Sequence, residues 1–156
     1  MTTIGIDNGT SGSIGIIGPD GAIFESTPVR DHVHYTKKGE FIKRIDVLAL
    51  EGLFNVDGPV KAYMERPYTG TFVNTSVLAG RAYEATLITL EELRIGFETI
   101  DSKAWQKALL PGIKGSANLK KASRLRGIEL YPALKDSITK HGDADGLLIA
   151  HHYHKL

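Results

Sequence analysis

The chain has 156 residues, 19 basic against 18 acidic side chains, a formal net charge of +1 and no cysteine. This length predicts one compact domain that buries its own core. The missing cysteines exclude disulfide scaffolds, Cys-ligated zinc sites and cysteine nucleophiles, which leaves carboxylate, carbonyl and imidazole groups as metal ligands. No apolar run reaches the ~18 residues of a membrane span, and no leader is recognised, so we expect a cytoplasmic protein without a membrane segment.

Short segments with alternating apolar residues open the chain and predict three strands within the first 27 residues. The apolar positions that recur at period two are Ile4 and Ile6, Ile14 and Ile16, and Ala22 and Phe24. Residues 39–54 have apolar side chains every three or four positions, which predicts an amphipathic helix. Residues 60–65 alternate again and predict a fourth strand that ends on an acid, Glu65.

The second half of the chain is predicted to be mainly helical. Residues 74–94 lack proline and have apolar side chains on more than one face, which predicts a long helix buried on two sides. Residues 97–100 predict a fifth strand, and Ser102 is expected to cap a helix that runs to residue 110. Two more helices are predicted at residues 119–131 and 143–153, separated by a connection at 132–140.

This order of elements resembles the ribonuclease-H-like fold, an α/β fold with a mixed five-stranded sheet in the order 3-2-1-4-5 and helices on both faces. The first strand of that fold is central, between an antiparallel hairpin strand and the parallel fourth strand. Open α/β sheets bind ligands outside the carboxyl ends of their strands where the winding direction changes in this way. Asp7 and Glu65 end the two strands at that point.

Neighbouring carboxylates at two strand ends repel each other unless a cation lies between them. Mg²⁺ or Mn²⁺ prefers oxygen ligands, and a pair of such ions promotes phosphodiester cleavage. A further acid, Asp145, opens an apolar helix that is expected to pack against the sheet. Each acid alone is more often a turn former or a solvated group, but together they predict a metal-dependent site.

Three segments resemble the RuvC-like Holliday junction resolvases, particularly their shorter phage and organellar branch. The segments are IGIDNG at 4–9 with GSIG at 12–15, YMERP at 63–67, and HGDADGLLIA at 141–150. The resemblance implies a structure-specific endonuclease that resolves four-way DNA junctions by paired symmetric nicks, uses two Mg²⁺ or Mn²⁺ ions per site and needs no nucleotide cofactor. Two nicks need two sites related by a two-fold axis, so we also expect a homodimer, with the helix at 74–94 as its interface.

The resemblance also implies that Asp7, Glu65 and Asp145 are metal ligands. Many family members have the remaining ligand three residues before the final acid, where this chain has Gly142. Residues four apart share a helix face, so His141 would lie over Asp145 if one helix includes both. We therefore predict His141 as the metal-site or water-activating residue, with Asp143 as the less favoured ligand and a helix N-cap.

A basic segment is the predicted DNA-binding surface, because no acid lies between Lys103 and Lys121. By the resemblance, Lys120 or Lys121 contacts the scissile phosphate, and Lys120 is the catalytic candidate. The other basic candidates for DNA contact are Lys107, Lys114 and Arg124.

Aromatic residues give a second set of DNA-binding candidates. Tyr68 and Phe72 follow Glu65 in the loop where the family inserts side chains at the junction centre; the alternative is that they fold back on the domain. We predict Trp105 as a core residue and the C-terminal residues 151–154 as a solvated tail.

Parts of the sequence also fit three other functions. The segment IDNGTSG at 6–12 also resembles the first phosphate loop of sugar kinases and actin-like ATPases, but those proteins need a second domain for which this chain has no room. Another ribonuclease-H-like nuclease, acting on hybrids or flaps, would use the same acids. A module that binds branched DNA without cutting would keep the basic segment but would not need all three acids.

Overall fold

The computed structural model describes all of residues 1–156 and contains seven strands and six helices. The strands are β1 (Thr2–Ile6), β2 (Ser13–Gly18), β3 (Gly21–Ser26), β4 (Val29–Val33), β5 (Phe41–Ile45), β6 (Val60–Glu65) and β7 (Gly96–Ile100). The helices are α1 (Val47–Phe54), α2 (Val73–Glu92), α3 (Ser102–Leu109), α4 (Ser116–Leu130), α5 (Lys135–His141) and α6 (Asp145–His154), with a 3₁₀ turn at Pro132–Leu134.

Five of the strands form one mixed sheet in the order β3-β2-β1-β6-β7. β1 is antiparallel to β2 and parallel to β6, which is itself parallel to β7. The predicted α/β architecture and the order 3-2-1-4-5 are thereby confirmed, with β6 and β7 as the fourth and fifth strands of the sheet. The change of direction lies beside β1, so the ends of β1 and β6 meet at the same edge.

The predicted helix at residues 39–54 is wrong in its first half. Residues 41–45 form β5, which pairs with β4 as a separate antiparallel sheet of two strands, the β4–β5 hairpin. The helix α1 begins only at Val47, where the side chain of Asp46 accepts a hydrogen bond from the backbone N–H of Ala49 at 3.2 Å. The four-residue spacing of Phe41 and Ile45 fits a helix, but Phe41 is 67% exposed. The two residues therefore do not form one buried helical face.

Other boundaries also differ from the predictions. The N-cap of α3 is Asp101, which accepts from the backbone N–H of Lys103 at 2.8 Å, and not Ser102; α4 begins at Ser116 rather than at residue 119.

The connection at 132–140 contains the 3₁₀ turn and most of α5, whose Ile138 is fully buried. Pro132 begins that turn, a position that suits proline because a backbone N–H there would have no partner and proline has none. The C-terminal tail is also less solvated than predicted, because His151 is buried and forms a 2.7 Å hydrogen bond with Tyr131.

Helices cover both faces of the sheet, as predicted. One face contributes Ile4, Ile6 and Met64 to a core with residues of α1 and α2. The opposite face contributes Tyr63 to a second core with residues of α3, α5 and α6, including Trp105. The sheet therefore lies between two packed helical layers.

The helix α2 is exposed along one side, although burial on two sides was predicted. Ala82 and Leu90 are buried against the sheet, whereas Val73 is 73% and Val77 is 52% exposed. No helix of the structure combines the length and apolarity that crossing a membrane requires.

The helix α6 packs directly on the backbone of β1 and β2. A Cβ atom on Gly5 would lie 2.2 Å from the carbonyl oxygen of Gly146, and one on Gly15 would lie 2.3 Å from the Cα of Leu147. Real Cβ atoms do not approach backbone so closely, so these two strands need glycine under the helix. This close packing positions Asp145, the first residue of α6, beside the end of β1.

Gly5→Ala is expected to destabilise the fold by about 1 to 3 kcal/mol or more, because the new methyl group collides with helix backbone. Gly52→Ala is the matched control: nothing lies within 4 Å of its Cβ position in α1, and alanine in a helix is favoured over glycine by about 0.5 to 1 kcal/mol. Urea unfolding of both variants measures the difference. Equal stabilities would show that α6 has room to move away from the sheet.

Candidate active site

Carboxylates from three parts of the chain meet at the edge where β1 and β6 end. Asp7 follows β1, and its ligand oxygen lies within 4.8 Å of those of Asp143 and Asp145, which also lie within that distance of each other. Glu65 ends β6 next to β1, where Met64 is the register partner of Ile6. The structure thus brings together the three predicted acids and also Asp143.

Two buried serines fix the start of α6. The hydroxyl of Ser123 on α4 donates to Oδ1 of Asp145 and accepts a hydrogen bond from the backbone N–H of Ala144 at 3.0 Å. The hydroxyl of Ser13 on β2 accepts from the backbone N–H of Gly146 at 3.0 Å. Hydrogen bonds from α4 and β2 therefore fix the first turn of α6, which carries Asp145.

The indole of Trp105 orients Glu65. Trp105 is fully buried, as predicted, and its Nε1–H donates to Oε1 of Glu65 at 2.7 Å. This second role of Trp105 is not among the predictions from the sequence. The available signal was general: a buried tryptophan N–H needs an acceptor, and Glu65 precedes it by 40 residues.

His141 does not share a helix with Asp145, so the condition under which it would lie over Asp145 is not met. His141 is the last residue of α5, Gly142 has a left-handed φ of 107°, and α6 begins at Asp145. The helical argument that favoured His141 over Asp143 therefore does not apply. Nδ1 of His141 forms a 2.7 Å hydrogen bond with the hydroxyl of Ser26, and its Nε2 lies 3.5 Å from Oδ1 of Asp143.

Asp143 lies just before α6 but is not the N-cap that was predicted; that position is Ala144. Its Oδ1 nevertheless accepts a hydrogen bond from the backbone N–H of Asp145 at 3.2 Å. Its carboxylate also belongs to the cluster with Asp7 and Asp145. The turn at Gly142 makes this possible because it redirects the chain between α5 and α6.

The fold of the whole chain is similar to that of Thermus thermophilus RuvC. A structure of RuvC in complex with Holliday junction substrate aligns with a TM-score of 0.58 and 17% sequence identity, over 96% of this chain and 90% of RuvC. A second T. thermophilus RuvC structure aligns with a TM-score of 0.53 and 17% identity, over 96% and 91%. The chain has a RuvC-like fold. No family model matches the sequence, and no curated protein matches it.

This RuvC-like fold confirms the predicted resemblance at the level of structure, while the phage and organellar branch stays a prediction. The alignment spans almost the whole of both chains, so the central sheet and its helices are shared rather than one local motif.

Burial and mutual repulsion raise the pKa of three carboxyl groups in the cluster. Burial, and then the charges of Glu65 and Asp145, hold the pKa of Asp7 well above its usual value. Burial raises the pKa of Glu65 to about 7, against the opposing hydrogen bond from Trp105. Burial and the charge of Asp143 raise the pKa of Asp145 to about 6, against the hydrogen bond from Ser123. A divalent cation would relieve this repulsion, so the donor set fits Mg²⁺ or Mn²⁺.

The pKa of Asp143 changes in the opposite direction. Burial alone would raise it, but the close contact with His141, the hydrogen bond from the backbone N–H of Asp145 and the charges of His141 and Lys120 lower it. Asp143 is therefore the carboxylate of the cluster that stays ionised most readily without a metal.

Of the predicted basic residues, Lys120 lies nearest to the acids. Its Nζ lies 3.6 Å from the position that a Cβ on Gly142 would occupy, and its charge acts on the pKa of both Asp143 and Asp145. Ser123 lies three residues further along α4, on the same helix face as Lys120. Its contact with Asp145 spans 22 residues of chain, so the spacing within α4 alone does not predict it.

The other basic candidates lie further along the surface. Lys121 and Lys114 line an open groove at the connection between α3 and α4. Lys107 is exposed on α3 and Arg124 is partly buried on α4. None of these four residues forms an ion pair with an acid.

The two aromatic candidates differ in their environment. Phe72 is 71% exposed at the start of α2. Tyr68 is 49% exposed, and its ring covers Gly70, so it folds back on its own loop in part. Phe72 is therefore the freer of the two side chains.

The metal-free protein is expected to lose stability as the pH rises from 6.5 to 8. The pKa values of Glu65 and Asp145 are higher in the folded protein than in an unfolded chain. The contribution of these two groups to the free energy of unfolding is therefore fully present below the unfolded pKa and is lost as the pH rises through about 6 to 7. Asp7→Asn removes one of the repelling charges and should raise the melting temperature at pH 8 in EDTA. Thermal denaturation of both proteins across this range measures the effect.

Asp20→Asn is the control, because Asp20 is an exposed turn residue outside the cluster. It should melt like the wild type at every pH. The melting temperatures are measured from pH 6.5 upwards because burial lowers the pKa of His151 and His152. At lower pH these histidines make the protein less stable as the pH falls, which is opposite to the effect of the carboxyl groups. A metal-free melting temperature that increases from pH 6.5 to 8 would contradict the assignment of buried, mutually repelling carboxylates.

Proposed function

We propose that the chain is a divalent-metal-dependent endonuclease that nicks four-way DNA junctions. The observation that carries this proposal is the cluster of Asp7, Asp143 and Asp145 within 4.8 Å of one another, with Glu65 beside it at the carboxyl ends of adjacent parallel strands. The similarity to a RuvC structure bound to Holliday junction substrate supports the choice of DNA substrate.

In the proposed site, Asp7, Glu65, Asp143 and Asp145 would hold the metal. Two bound Mg²⁺ or Mn²⁺ ions would supply a water nucleophile at neutral pH and stabilise charge on the leaving oxygen. Trp105 and Ser123 orient the carboxylates of Glu65 and Asp145 through hydrogen bonds. Lys120 is placed to bind the scissile phosphate because its ammonium group lies beside the acids.

Junction binding would use the basic surface of α3 and α4 together with the loop after β6. Lys107, Lys114, Lys121 and Arg124 have no acidic partners, so their charges are available to phosphates. Phe72, and less freely Tyr68, would stack on bases at the junction centre, a contact that contributes about 1 to 3 kcal/mol per base.

Digestion of labelled substrates tests the proposed function. Four-way junction, fork, linear duplex, single strand and RNA–DNA hybrid are incubated with the protein and Mg²⁺, Mn²⁺ or EDTA. We expect paired nicks in the four-way junction with either metal and no cleavage in EDTA. Preferential cleavage of the hybrid would assign the chain to another ribonuclease-H-like activity, and binding without cleavage in any metal would assign it to a junction-binding module.

We also propose that two chains act together as a homodimer. One chain has one acid cluster, and paired nicks need a second cluster on the opposite strand. The exposed side of α2, with Val73 and Val77, is the proposed interface because these apolar residues are more than half exposed in the single chain.

Val77→Glu is expected to shift the protein from dimer to monomer, since a buried unpaired charge is costly at an interface. Sedimentation velocity at micromolar concentration, with and without junction DNA, measures the state. Leu48→Glu is the control, because Leu48 is 76% exposed on α1 and lies outside α2. A wild-type protein that sediments as a monomer in both conditions would contradict the dimer.

A further inference from the structure

A basic groove lies between the β4–β5 hairpin and α2, away from the basic surface of α3 and α4. Its polar lining includes Lys43 and Arg44 from β5, and Arg81 with Glu84 from α2. Thr10 and Leu78 also line it. We call these six residues the hairpin groove.

Two arginines of the hairpin have no charge partner. Arg30 on β4 and Arg44 on β5 are directly opposite each other in the register, both are exposed, and neither forms an ion pair. Like charges at opposite positions destabilise a pair of strands. The next pair along the ladder differs, because Lys43 lies opposite Asp31 and binds it at 2.7 Å. A bound anion would compensate the arginine pair.

Arg81 is held in place by stacking. Its guanidinium carbon lies 4.0 Å from the ring centre of Tyr35, in the loop that joins β4 to β5. A stacked guanidinium keeps its hydrogen-bond donors free at the edges, which suits phosphate recognition. Within residues 29–45 five basic residues outnumber two acidic ones, so the whole hairpin has a net charge of +3.

The hairpin groove continues into the groove that leads to the acid cluster. That second groove is lined by Asp7, the following turn and the start of α2, and the two grooves share Thr10 and Leu78. An extended polyanion that lies across the acids therefore has a path past Thr10 to Arg81 and Arg44.

We propose that the hairpin groove binds the phosphate backbone of the DNA arm that flanks the cleavage site. This inference rests on the proposed function for its substrate, but it assigns a separate contact surface to residues outside the active site. Arg44 and Arg81 line the groove and bind phosphates, and Arg30 adds charge from the opposite strand. The β4–β5 hairpin thus acts as a second DNA-binding element on the other side of the acids from α4.

Salt-dependent binding of a fluorescent four-way junction, measured by anisotropy in EDTA, tests the proposal. Arg44→Ala and Arg81→Ala should each weaken binding by about three- to tenfold and reduce the slope of log affinity against log salt by about 1, as for a lost phosphate contact. Arg44→Lys should retain most of the slope because the charge remains. Circular dichroism verifies that each variant is folded.

Lys37→Ala is the matched control, because it removes one positive charge from the same hairpin at a residue that pairs with Glu40 at 3.7 Å and does not line the groove. Its slope should equal that of the wild type. Equal losses for Lys37→Ala and Arg44→Ala would overturn the proposal in favour of a general charge effect. A change in sedimentation with an unchanged salt slope for Arg81→Ala would instead identify the groove as a contact between copies.

The two proposals fail in different experiments. If the wild-type protein nicks junctions but Arg44→Ala and Arg81→Ala retain its salt slope, the hairpin groove is excluded and the nuclease function stands. If the variants lose slope but the wild type nicks nothing in Mg²⁺ or Mn²⁺, the groove is supported as a DNA-binding surface and the nuclease function is excluded.

Discussion

Asp7→Asn is expected to lower the rate of junction nicking by about a thousandfold or more, corresponding to about 4 kcal/mol of transition-state stabilisation. Asp7 lies at the centre of the proposed site, since its carboxylate is close to Asp143 and Asp145 and its pKa responds to Glu65. The amide is nearly isosteric with the carboxylate but supplies no charge to a divalent cation. Single-turnover nicking of a labelled junction in Mg²⁺ measures the loss.

Junction binding by Asp7→Asn should be at least as tight as that of the wild type. The substitution removes a negative charge near DNA phosphates and leaves Lys120 and the rest of the basic surface unchanged. Band shifts in EDTA on the same junction measure this part. Glu65→Gln and Asp145→Asn should likewise lose cleavage and retain junction binding, because Glu65 and Asp145 each supply a carboxylate to the same site.

Asp20→Asn provides the control for the loss of one acidic residue, because Asp20 is exposed in the turn between β2 and β3. It should nick at the wild-type rate. Substantial nicking by Asp7→Asn would exclude Asp7 from the metal site, and a parallel loss of binding and cleavage would indicate that Asp7 instead maintains the fold.

The sheet was predictable because its strands have a strong local signal. The alternation at Ile4 and Ile6 and at Ile14 and Ile16 is bounded by glycine, and all four side chains are buried. The hairpin strand β5 was missed because the spacing of Phe41 and Ile45 fits a helix and a strand equally well. Only pairing with β4, twelve residues before it in the chain, decides between them.

The acids of the site were predictable, whereas the groups that hold them were not. Asp7 and Glu65 follow from strand ends and from the parallel order of two strands. Trp105 and Ser123 act through side-chain geometry across 40 and 22 residues of chain, respectively, which neither spacing nor composition encodes. The choice between His141 and Asp143 stays a prediction, but its helical argument depended on one helix boundary, and Gly142 breaks the helix there.

The structure leads us to expect that Asp143→Asn will reduce nicking more severely than His141→Ala. Asp143 shares the cluster with Asp7 and Asp145, whereas His141 lies outside it, with its Nε2 3.5 Å from Oδ1 of Asp143. Loss of a metal ligand should lower the rate by about a thousandfold. Loss of a residue that only positions a ligand should lower metal affinity or activity by about 10- to 100-fold.

Titration of nicking with Mn²⁺ distinguishes these roles. For His141→Ala, a higher metal concentration should restore most of the rate, because the carboxylates remain and only the orientation of Asp143 is lost. For Asp143→Asn, saturating metal should leave most of the defect. The exposed Asp136 on α5 provides a matched control, since Asp136→Asn changes an acid near His141 without contact with the cluster.

Thermal stability supplies a readout that is independent of catalysis. Asp143→Ala should cost about 1 kcal/mol, because its carboxylate accepts the first backbone N–H of α6, while Asp143→Asn retains an acceptor for that N–H. If His141→Ala abolishes nicking at every metal concentration while Asp143→Asn stays active, His141 is the fourth ligand and Asp143 serves the helix alone. In that case Nε2 of His141 would bind the metal while its Nδ1 stays hydrogen-bonded to Ser26.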